Sequence, residues 1–403
     1  MSTTCNRKPK VALVTCYFQH NYGSQLQAYA TQVVLDKMGI QNETICIDGL
    51  RKEIKRAKYK YFLSRVWDRN TISDKFSTVR KIWALMTKGR EFKQKIFLRD
   101  SIFDEFSQSM FHLSKRYSCK AELSNESGNY DAFIVGSDQL WLPSNIEADY
   151  YTLNFVPTNV AKISLATSFG VLRLPSRQAR KASKFLSRMN YISVREAGGK
   201  KLLMELTGRE VPVVCDPTIL LKAEEWEQIT SKQRRITEPY IFCYFLGNNP
   251  KHRDFARRMK AEKKYKIVQL QHCDEYIRYD EGFPDYAPYD IGPKEFIQLI
   301  RDAEYVLTDS FHCTVFSMIY RKPFFTFRRY SSDNKVSTNG RLYDLLSQMQ
   351  LSHRMLTAAE DVRTIINEDI DFTSVHERLQ ELRHKTEIFL TDALMNSRIL
   401  SPC

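Results

Sequence analysis

The sequence predicts an α/β protein built from two Rossmann-like, doubly wound domains that face each other across a cleft. Short apolar, β-branched runs of strand length recur along the chain. Stretches with the 3.6-residue periodicity of helices lie between most of these runs. Strands that alternate with helices form βαβ units and parallel sheets, and 403 residues suffice for two domains of ordinary size.

The predicted strands form two series, separated by a charged, weakly patterned stretch at 231–238. The first series is expected at 11–18, 44–47, 132–135, 161–166, 191–194 and 211–214, and the second at 240–246, 266–270, 305–307 and 323–327. The main helices are expected at 25–37, 177–189, 294–303 and 379–395. We therefore place the N-terminal domain at 1–234 and the C-terminal domain at 235–370. Residues 371–403 form a last helix, whose apolar stripe should dock back onto an earlier domain.

Composition excludes several classes of protein. With 43% hydrophobic and 12% aromatic residues, the chain can bury large cores and is not intrinsically disordered. No apolar run is long enough to span a membrane, and a short basic start leads directly into a strand, so we expect no secretory signal. The nine cysteines are scattered without a C-x-x-C pair, and the eight histidines lack ligand spacing. We expect reduced thiols, a cytoplasmic location and no metal.

Most of the net charge of +14 comes from one insertion at 51–99. This segment holds 16 Lys or Arg against four acidic residues, a net +12, and its cations alternate with aromatic residues. Such a pattern suits a peripheral contact with an anionic inner-membrane surface. A solvated helical excursion explains it equally well. We do not expect nucleic-acid binding, because no nucleic-acid motif accompanies the charge.

The turn that follows the predicted strand 305–307 is the most informative candidate site. Ser310 can cap the helix that begins there, and His312 falls in its first turn. Free N–H groups and the positive end of the helix dipole favour an anion at that point. The turn therefore suits a histidine that acts as acid or base on a phosphorylated substrate. Alternatively, Ser310 and His312 are a structural cap and a satisfied core histidine.

Other strand ends offer polar groups that would face the cleft. Tyr22 and Ser24 follow the first strand, and Asp138, Gln139 and Trp141 follow the strand 132–135, where a tryptophan beside amide and carboxylate groups suits stacking and hydrogen bonding to a sugar. The alternative for the turn at 136–141 is a helix cap with a core tryptophan. Arg195 follows the strand 191–194 and either reaches into the cleft or forms a surface ion pair.

Six segments in order resemble the polysaccharide pyruvyl transferase family: NYGSQLQAYATQ, IVGSDQLW, KISLATSFG, ISVREAGGKKLL, VVCDPTILL and AEYVLTDSFHCTVFSMIYRKPF. The resemblance runs through both domains. It implies two Rossmann-type domains in the GT-B arrangement of glycosyltransferases. It also implies transfer of pyruvate from phosphoenolpyruvate to two sugar hydroxyls as a ketal, on a cell-surface polysaccharide or its lipid-linked precursor. Phosphoenolpyruvate is then a co-substrate, and no cofactor is expected.

The resemblance also implies roles for particular residues. The family histidine falls on His312, and the arginine of the V-R-E stretch falls on Arg195. The basic residue after the K-P-F strand falls on Arg341 or, less directly, on Lys335. These cations and the helix terminus at Ser310 would bind the donor on the C-terminal side. The acceptor would contact the N-terminal domain across the cleft, through Tyr22, Ser24, Asp138, Gln139 and Trp141.

Two departures place the chain in a divergent branch. Cys313 stands where the family often has glycine, and Ser310 stands where members can carry arginine. Two other functions fit the same pattern. One is a GT-B glycosyltransferase whose nucleotide-sugar diphosphate occupies the cationic site. The other is a non-catalytic sugar-binding or scaffold protein of polysaccharide assembly, in which His312 is structural.

Overall fold

A computed structural model of the chain describes residues 8–63, 89–271, 277–329 and 340–400. Within these ranges ten strands form two five-stranded sheets, and every pairing between neighbouring strands is parallel. The two Rossmann-like halves that the alternating pattern predicts are therefore present. The described strands of the first sheet all precede residue 195, and those of the second all follow residue 239.

The first sheet has the strand order β2-β1-β3-β4-β5. Its strands are β1 (Lys10–Val14), β2 (Gln41–Thr44), β3 (Ala132–Asp138), β4 (Ala161–Thr167) and β5 (Tyr191–Val194). The helices of this part are α1 (Tyr22–Lys37), α2 (Arg51–Leu63), α3 (Gly89–Ser109), α4 (Lys120–Glu126), α5 (Pro143–Ala148), α6 (Ser176–Ser187), α7 (Ala197–Thr207), α8 (Pro217–Leu220) and α9 (Ala223–Trp226).

The second sheet has the order β10-β9-β8-β6-β7. Its strands are β6 (Tyr240–Tyr244), β7 (Lys266–Gln269), β8 (Tyr305–Thr308), β9 (Phe324–Phe327) and β10 (Met355–Leu356). The helices are α10 (Pro250–Lys263), α11 (Pro293–Asp302), α12 (Phe311–Ile319), α13 (Gly340–Gln348), α14 (Val362–Ile365) and α15 (Phe372–Asn396). Short 3₁₀ turns lie at Ser127–Asn129, Glu227–Ile229, Arg278–Asp280 and Ser352–Arg354.

Three predicted strands differ from the observed ones. The first ends at Val14 rather than at residue 18, and residues 15–18 belong to the loop before α1. The second strand ends at Thr44 rather than running over 44–47, because the chain then pairs with Leu113 and buries Ile45 and Ile47 in a loop. The run at 211–214 joins the first sheet only through a single bridge between Val194 and Val213. Pro212 lies beside that bridge and cannot donate to a ladder.

Both sheets have the same topology. Read from the edge at β2 or at β7, each follows the order 2-1-3-4-5 of a doubly wound fold. The crevice in such a sheet opens at the carboxyl ends of the first and third strands, where the winding direction changes. In this protein those positions follow β1 and β3 in one half and β6 and β8 in the other, which predicts where ligand-binding residues should gather.

The two halves pack tightly where their crevices face each other. The ring of Tyr22 stacks on Phe296 with centroids 4.5 Å apart, and its hydroxyl donates to the Ile291 carbonyl. Trp226 contacts Phe316 edge to face at 5.1 Å. These aromatic contacts bury apolar area from both halves and fix how their crevices are aligned.

The last helix crosses back to the first sheet. Leu390 and Leu394 of α15 are buried in one cluster with Leu13 of β1. Arg383 donates from Nε to the Ile219 carbonyl at 2.6 Å. The apolar stripe that the sequence shows in this helix is thus covered by the N-terminal half. Among the described helices, none combines the length and the apolar character that crossing a bilayer requires.

Candidate active site

A buried cluster of charged side chains lies where the carboxyl ends of the two sheets meet. Asp138 ends β3, Arg195 follows β5, and Asp216 precedes α8. The other half contributes His312 from α12 and Arg341 from α13. Five segments that are far apart in sequence therefore place titratable groups at one point, and two of them, at Asp138 and His312, lie at or just after the carboxyl ends of β3 and β8, where the topology of the sheets predicts a crevice.

The position of His312 is set by the start of α12. Ser310 is the N-cap, and its hydroxyl oxygen accepts from the Cys313 N–H at 3.5 Å, as the sequence indicates. His312 lies in the first turn with only 7% of its surface exposed. Its Nε2 is 3.5 Å from Oδ2 of Asp216, an ion-pair distance, and forms no hydrogen bond with the described residues. The imidazole therefore lies beside a buried carboxylate.

Gly23 leaves room for the imidazole. A Cβ on this residue would lie 1.9 Å from Nδ1 of His312, which no real contact allows. Gly23 is the glycine of the NYGSQ segment, at the start of α1, where Asn21 caps the helix by accepting from the Ser24 N–H. The need for glycine here is thus steric, because the N-terminal half closes directly onto the histidine.

Arg195 and Asp216 form a fully buried ion pair. Nη1 of Arg195 lies 2.5 Å from Oδ2 of Asp216, and the guanidinium stacks over the ring of Phe311 at 4.7 Å. Burial opposes ionisation of Asp216, but His312 and Arg195 outweigh it and hold the carboxyl pKa well below its usual range. Asp216 is therefore a fixed anion that links the arginine of one half to the histidine of the other.

Neutral groups complete the shell around Asp216. Its Oδ1 accepts from the backbone N–H and the hydroxyl of Thr218, at 3.0 and 2.7 Å. Oδ2 also accepts from the Ser137 hydroxyl at 3.1 Å. Both oxygens are thus held in place, and the carboxylate cannot turn away from His312 without losing several hydrogen bonds.

Asp138 is the second anion of the cluster. Its Oδ2 accepts from the Ser24 hydroxyl at 2.9 Å, and Oδ1 lies 3.3 Å from Arg195 and 3.5 Å from Arg341. Burial would raise its pKa, but Arg195, His312 and Arg341 lower it to about 2. The residue has φ 77°, a left-handed conformation that aspartate tolerates better than most residues. The carboxylate therefore faces the opposite half rather than its own sheet.

Arg341 is a buried cation with too little negative charge around it. Burial and the neighbouring Arg195 lower its pKa to about 10, and Arg329 adds to the repulsion. Among the residues that the structure describes, its Nε has no hydrogen-bond partner. Burial also raises the pKa of Glu196, which makes this nearby acid a weak counter-charge. An anion bound beside Arg341 would relieve this imbalance.

The C-terminal half also contains a buried aspartate at a strand end, Asp309, which follows β8. Its two carboxylate oxygens accept from the backbone N–H groups of Leu246 and Gly247, at 2.7 and 2.8 Å. Arg329 donates from Nη2 to the Asp309 carbonyl at 3.1 Å. Asp309 thus fixes the loop after β6 and holds Arg329 at the same face as Arg341.

The structure brings some of the predicted acceptor residues together and not others. Ser24 and Asp138 contact each other in the cluster. Tyr22 packs between the halves, and Gln139 is only partly buried, with an unpartnered Nε2. Trp141 is fully buried against Phe169 and Phe185, so it is the core tryptophan of the alternative interpretation. The turn thus presents a carboxylate, not an indole ring.

Most of the predicted donor residues lie at the cluster, and one lies outside the described residues. Arg195, His312 and Arg341 lie in one cluster, and Ser310 supports them as the helix cap. Arg195 is neither a free cation in the cleft nor part of a surface pair, since its partners are the two buried aspartates. Lys335 lies outside the described residues.

Sequence reasoning assigned no role to Asp216 or Arg329. Asp216 begins an Asp-Pro pair directly after an apolar run, a position typical of a strand end that turns into a helix. Arg329 stands two residues after the β9 strand, at its carboxyl end. Both positions fit the rule that binding groups follow strands, but only the assembled halves show which of them meet.

No ligand set for a metal is present in the part of the chain that the structure describes. Within those residues no three His, Cys, Asp or Glu side chains are placed to hold an ion. The free Cys16, whose Sγ lies 3.9 Å from Asp138, is buried, and burial raises its thiol pKa, which disfavours a thiolate.

Solved structures share this fold at low sequence identity. S. aureus MnaA, solved with UDP, matches with a TM-score of 0.51 and 10% identity, over 98% of both chains. A Listeria monocytogenes protein provisionally assigned as UDP-N-acetylglucosamine 2-epimerase matches with a TM-score of 0.50 and 10% identity, over 94% of this chain and 91% of that one. The two halves thus have the GT-B arrangement. At this identity the likeness shows the fold alone.

The family is shown by sequence. No curated protein matches the chain. The family model described as polysaccharide pyruvyl transferase matches residues 21–332, which include Gly23, Asp138, Arg195, Asp216 and His312. The match covers most of the chain and both of its halves, so the chain belongs to the polysaccharide pyruvyl transferase family.

Proposed function

We propose that this protein transfers pyruvate from phosphoenolpyruvate to two hydroxyls of a sugar and leaves a pyruvate ketal. The observation that carries the proposal is the contact of His312 with Asp216 inside a cluster that also holds Arg195 and Arg341. A histidine beside a fixed carboxylate is suited to proton transfer, and a buried cation short of counter-charge is suited to an anionic substrate.

Arg341 is the group best placed to bind the donor. Phosphoenolpyruvate carries a phosphate and a carboxylate, and guanidinium groups bind both with paired hydrogen bonds. The unpartnered Nε and the lowered pKa of Arg341 support this role. Arg195 is already paired with Asp216 and Asp138, so we assign it to holding those carboxylates and shaping the site.

The proposed reaction begins with protonation of C3 of phosphoenolpyruvate. C2 then gains oxocarbenium character, one sugar hydroxyl attacks it, and phosphate leaves. A second hydroxyl closes the ketal. Of the two protons that the hydroxyls lose, one replaces the proton given to C3 and the other leaves with phosphate. His312, which lies beside Asp216, would supply or accept these protons, a contribution of ~10²–10⁴-fold in rate.

The acceptor would lie against the N-terminal half. Ser24 and Asp138 present a hydroxyl and a carboxylate at the same cluster, and sugar hydroxyls pair with both. We propose a cell-surface polysaccharide or its lipid-linked precursor as the acceptor. This assignment is supported by the family, whose name describes polysaccharide as the substrate class.

Labelled substrates test the proposal. Purified protein is incubated with phosphoenolpyruvate labelled in the pyruvyl group, or with nucleotide sugars, together with a panel of soluble and lipid-linked oligosaccharides. Label that enters the oligosaccharide from phosphoenolpyruvate, with phosphate released, is the expected result. Transfer of sugar from a nucleotide sugar would support the glycosyltransferase alternative, and binding without turnover would support the scaffold alternative; either outcome overturns the proposal.

We also propose that the exposed cations of α2 contact an anionic inner-membrane surface. Lys52, Arg56 and Lys60 are exposed on this helix. Within the same basic segment, Arg99 is not available, because it donates to the carbonyls of Gln271 and Pro288 across the two halves. Residues 64–88 of the predicted insertion lie outside the described residues. Each engaged cation would contribute roughly 1 kcal/mol near anionic lipid.

A further inference from the structure

A second cationic site lies beside the cluster, in a pocket of the N-terminal half. The pocket has a volume of about 510 Å³ and is formed by α2 and the loop that follows β1. Arg51, Lys55 and Lys58 lie on one face of α2, where spacings of three and four residues align them. No carboxylate stands among the described residues that line the pocket.

The three cations differ in how far they are already paired. Arg51 lies 3.1 Å from Asp48 and over the ring of Phe18. Lys55 and Lys58 form no ion pair with any residue in the described ranges. Burial lowers the pKa of Lys58, and the Cys16 thiol opposes this effect. A half-buried lysine without a counter-charge is stabilised when an anion binds.

The pocket lies next to the candidate active site. Gln19 lines it, and the Oε1 of Gln19 lies 3.5 Å from the hydroxyl of Ser24. That hydroxyl donates to Asp138 at 2.9 Å. A single side chain thus separates the pocket from the cluster. The lining residues come from the N-terminal half, on the acceptor side of the proposed reaction.

We propose that this pocket binds a phosphate or diphosphate group carried by the acceptor. The inference rests on the proposed function, because the acceptor is defined by it. Three cations without a lining carboxylate match the charge of a phosphate or diphosphate better than that of a neutral sugar. The volume leaves space for the attached sugar, and Phe18 and Ile54 supply an apolar wall for it.

Inorganic pyrophosphate is the probe that tests the site without turnover. Its binding to the full chain is measured by calorimetry, with the wild type, the Lys55→Gln/Lys58→Gln variant and a matched control, Lys52→Gln/Lys60→Gln. Both variants remove two positive charges from α2, but only the first pair lines the pocket. We expect the pocket variant to bind about 10-fold or more weakly and the control to bind as the wild type does. Equal weakening in both variants, or none in either, would overturn the proposal.

Two further arms identify the source of the phosphate and keep the test interpretable. Vesicles of phosphatidylglycerol should not displace pyrophosphate, whereas a soluble sugar 1-phosphate should; displacement by vesicles would mean that the pocket binds lipid headgroups, and would contradict the proposal. Glucuronate should compete poorly, and equal competition would contradict a phosphate site. If the double variant fails to fold, Lys58→Met keeps the apolar stem and removes only the charge.

Failure of this proposal and failure of the proposed function give different results. Pyruvyl transfer with no pocket-dependent binding of pyrophosphate would reject the pocket alone. Pocket-dependent binding with no use of phosphoenolpyruvate would reject the reaction and leave an anion site. Where both hold, the Lys55→Gln/Lys58→Gln variant should raise KM for a phosphorylated acceptor and leave KM for phosphoenolpyruvate unchanged.

Discussion

The imidazole of His312 lies against the backbone of Gly23, so close that a Cβ on residue 23 would fall 1.9 Å from Nδ1. The two residues belong to different halves and to two of the segments that resemble the family. Their contact closes the N-terminal half onto the histidine, while Asp216 approaches Nε2 from another direction. Both nitrogens of the ring are thus positioned by residues of the N-terminal half.

Gly23→Ala should displace the imidazole. An added methyl group normally stabilises a helix by about 1 kcal/mol relative to glycine, but here it meets the ring. We expect turnover to fall while most of the fold is kept. In the His312→Ala background the ring is absent, so the same change should be nearly neutral in stability. Melting curves and turnover of the two single variants and the double variant measure this coupling.

Gly128→Ala is the control for that experiment, because among the described residues no heavy atom outside the local backbone lies within 4 Å of a Cβ at residue 128. It should leave turnover unchanged. If Gly23→Ala retained full activity, or lowered stability equally with and without the histidine, the contact would have no role in positioning the ring.

His312→Ala and His312→Gln should lower kcat by ~10²–10⁴-fold and shift the melting temperature by only a few degrees. His312 forms few interactions that contribute to folding stability, since its Nε2 lies 3.5 Å from the Asp216 carboxylate. His376→Gln is a suitable control, because its ring bonds the Met318 carbonyl away from the site. Loss of folding in the His312 variants, with activity retained in the folded fraction, would show a structural histidine.

Arg341→Gln should separate stability from function. Burial and Arg195 lower the pKa of Arg341 to about 10, so removal of its charge should cost the ligand-free protein little. The KM for phosphoenolpyruvate should rise by roughly 10–100-fold, as expected when a charged hydrogen bond to substrate is lost. Steady-state kinetics and thermal melts measure both. A large loss of stability with KM unchanged would assign Arg341 to structure.

Acid should weaken the cluster through Asp138. Its pKa is about 2 in the folded protein against 3.8 ordinarily, so it adds stability above pH 4 that is lost as the pH falls toward 2. This corresponds to about 2 kcal/mol. The difference in unfolding free energy between wild type and Asp138→Asn should therefore shrink between pH 6 and pH 3 in urea titrations. A difference that does not change over this range would contradict the charged network.

The exposed cations of α2 should direct binding to anionic vesicles. Co-sedimentation should occur with phosphatidylglycerol but not phosphatidylcholine, and high salt should release the protein. Neutralising Lys52, Arg56 and Lys60 together should reduce binding. Pelleting that is indifferent to lipid charge would reject the membrane contact and support a solvated helix.

The sequence was sufficient to predict the alternating α/β architecture, the helix cap at Ser310 and the position of His312 in the first turn. These features depend on residues that are close in sequence. The surroundings of Arg195, by contrast, are set by residues that are distant in sequence. Its guanidinium pairs with Asp216 and Asp138, which lie 21 and 57 residues away. A strand-end position indicates that a side chain faces the crevice, but it does not say which charge from the other strands will face it.

Trp141 is a second residue whose surroundings could not be predicted from the local sequence. A tryptophan after a strand suits sugar stacking and suits a core equally well. Its indole N–H donates to the Tyr151 carbonyl, and its ring is covered by Phe169 and Phe185. Those partners lie in later segments of the chain, so the position of the ring was decided by tertiary packing rather than by local pattern.

The isotope content of the product formed in D₂O shows whether pyruvyl transfer proceeds through protonation of C3. If an acid in the His312 cluster protonates C3 of phosphoenolpyruvate, the ketal methyl group should contain one deuterium, and one phosphate should be released per ketal. NMR of the purified oligosaccharide and a phosphate assay give both numbers, and the rate of ketal formation should fall by ~10²–10⁴-fold in His312→Ala. A sugar product with no ketal methyl group, or ketal formation that His312→Ala does not slow, would contradict the account.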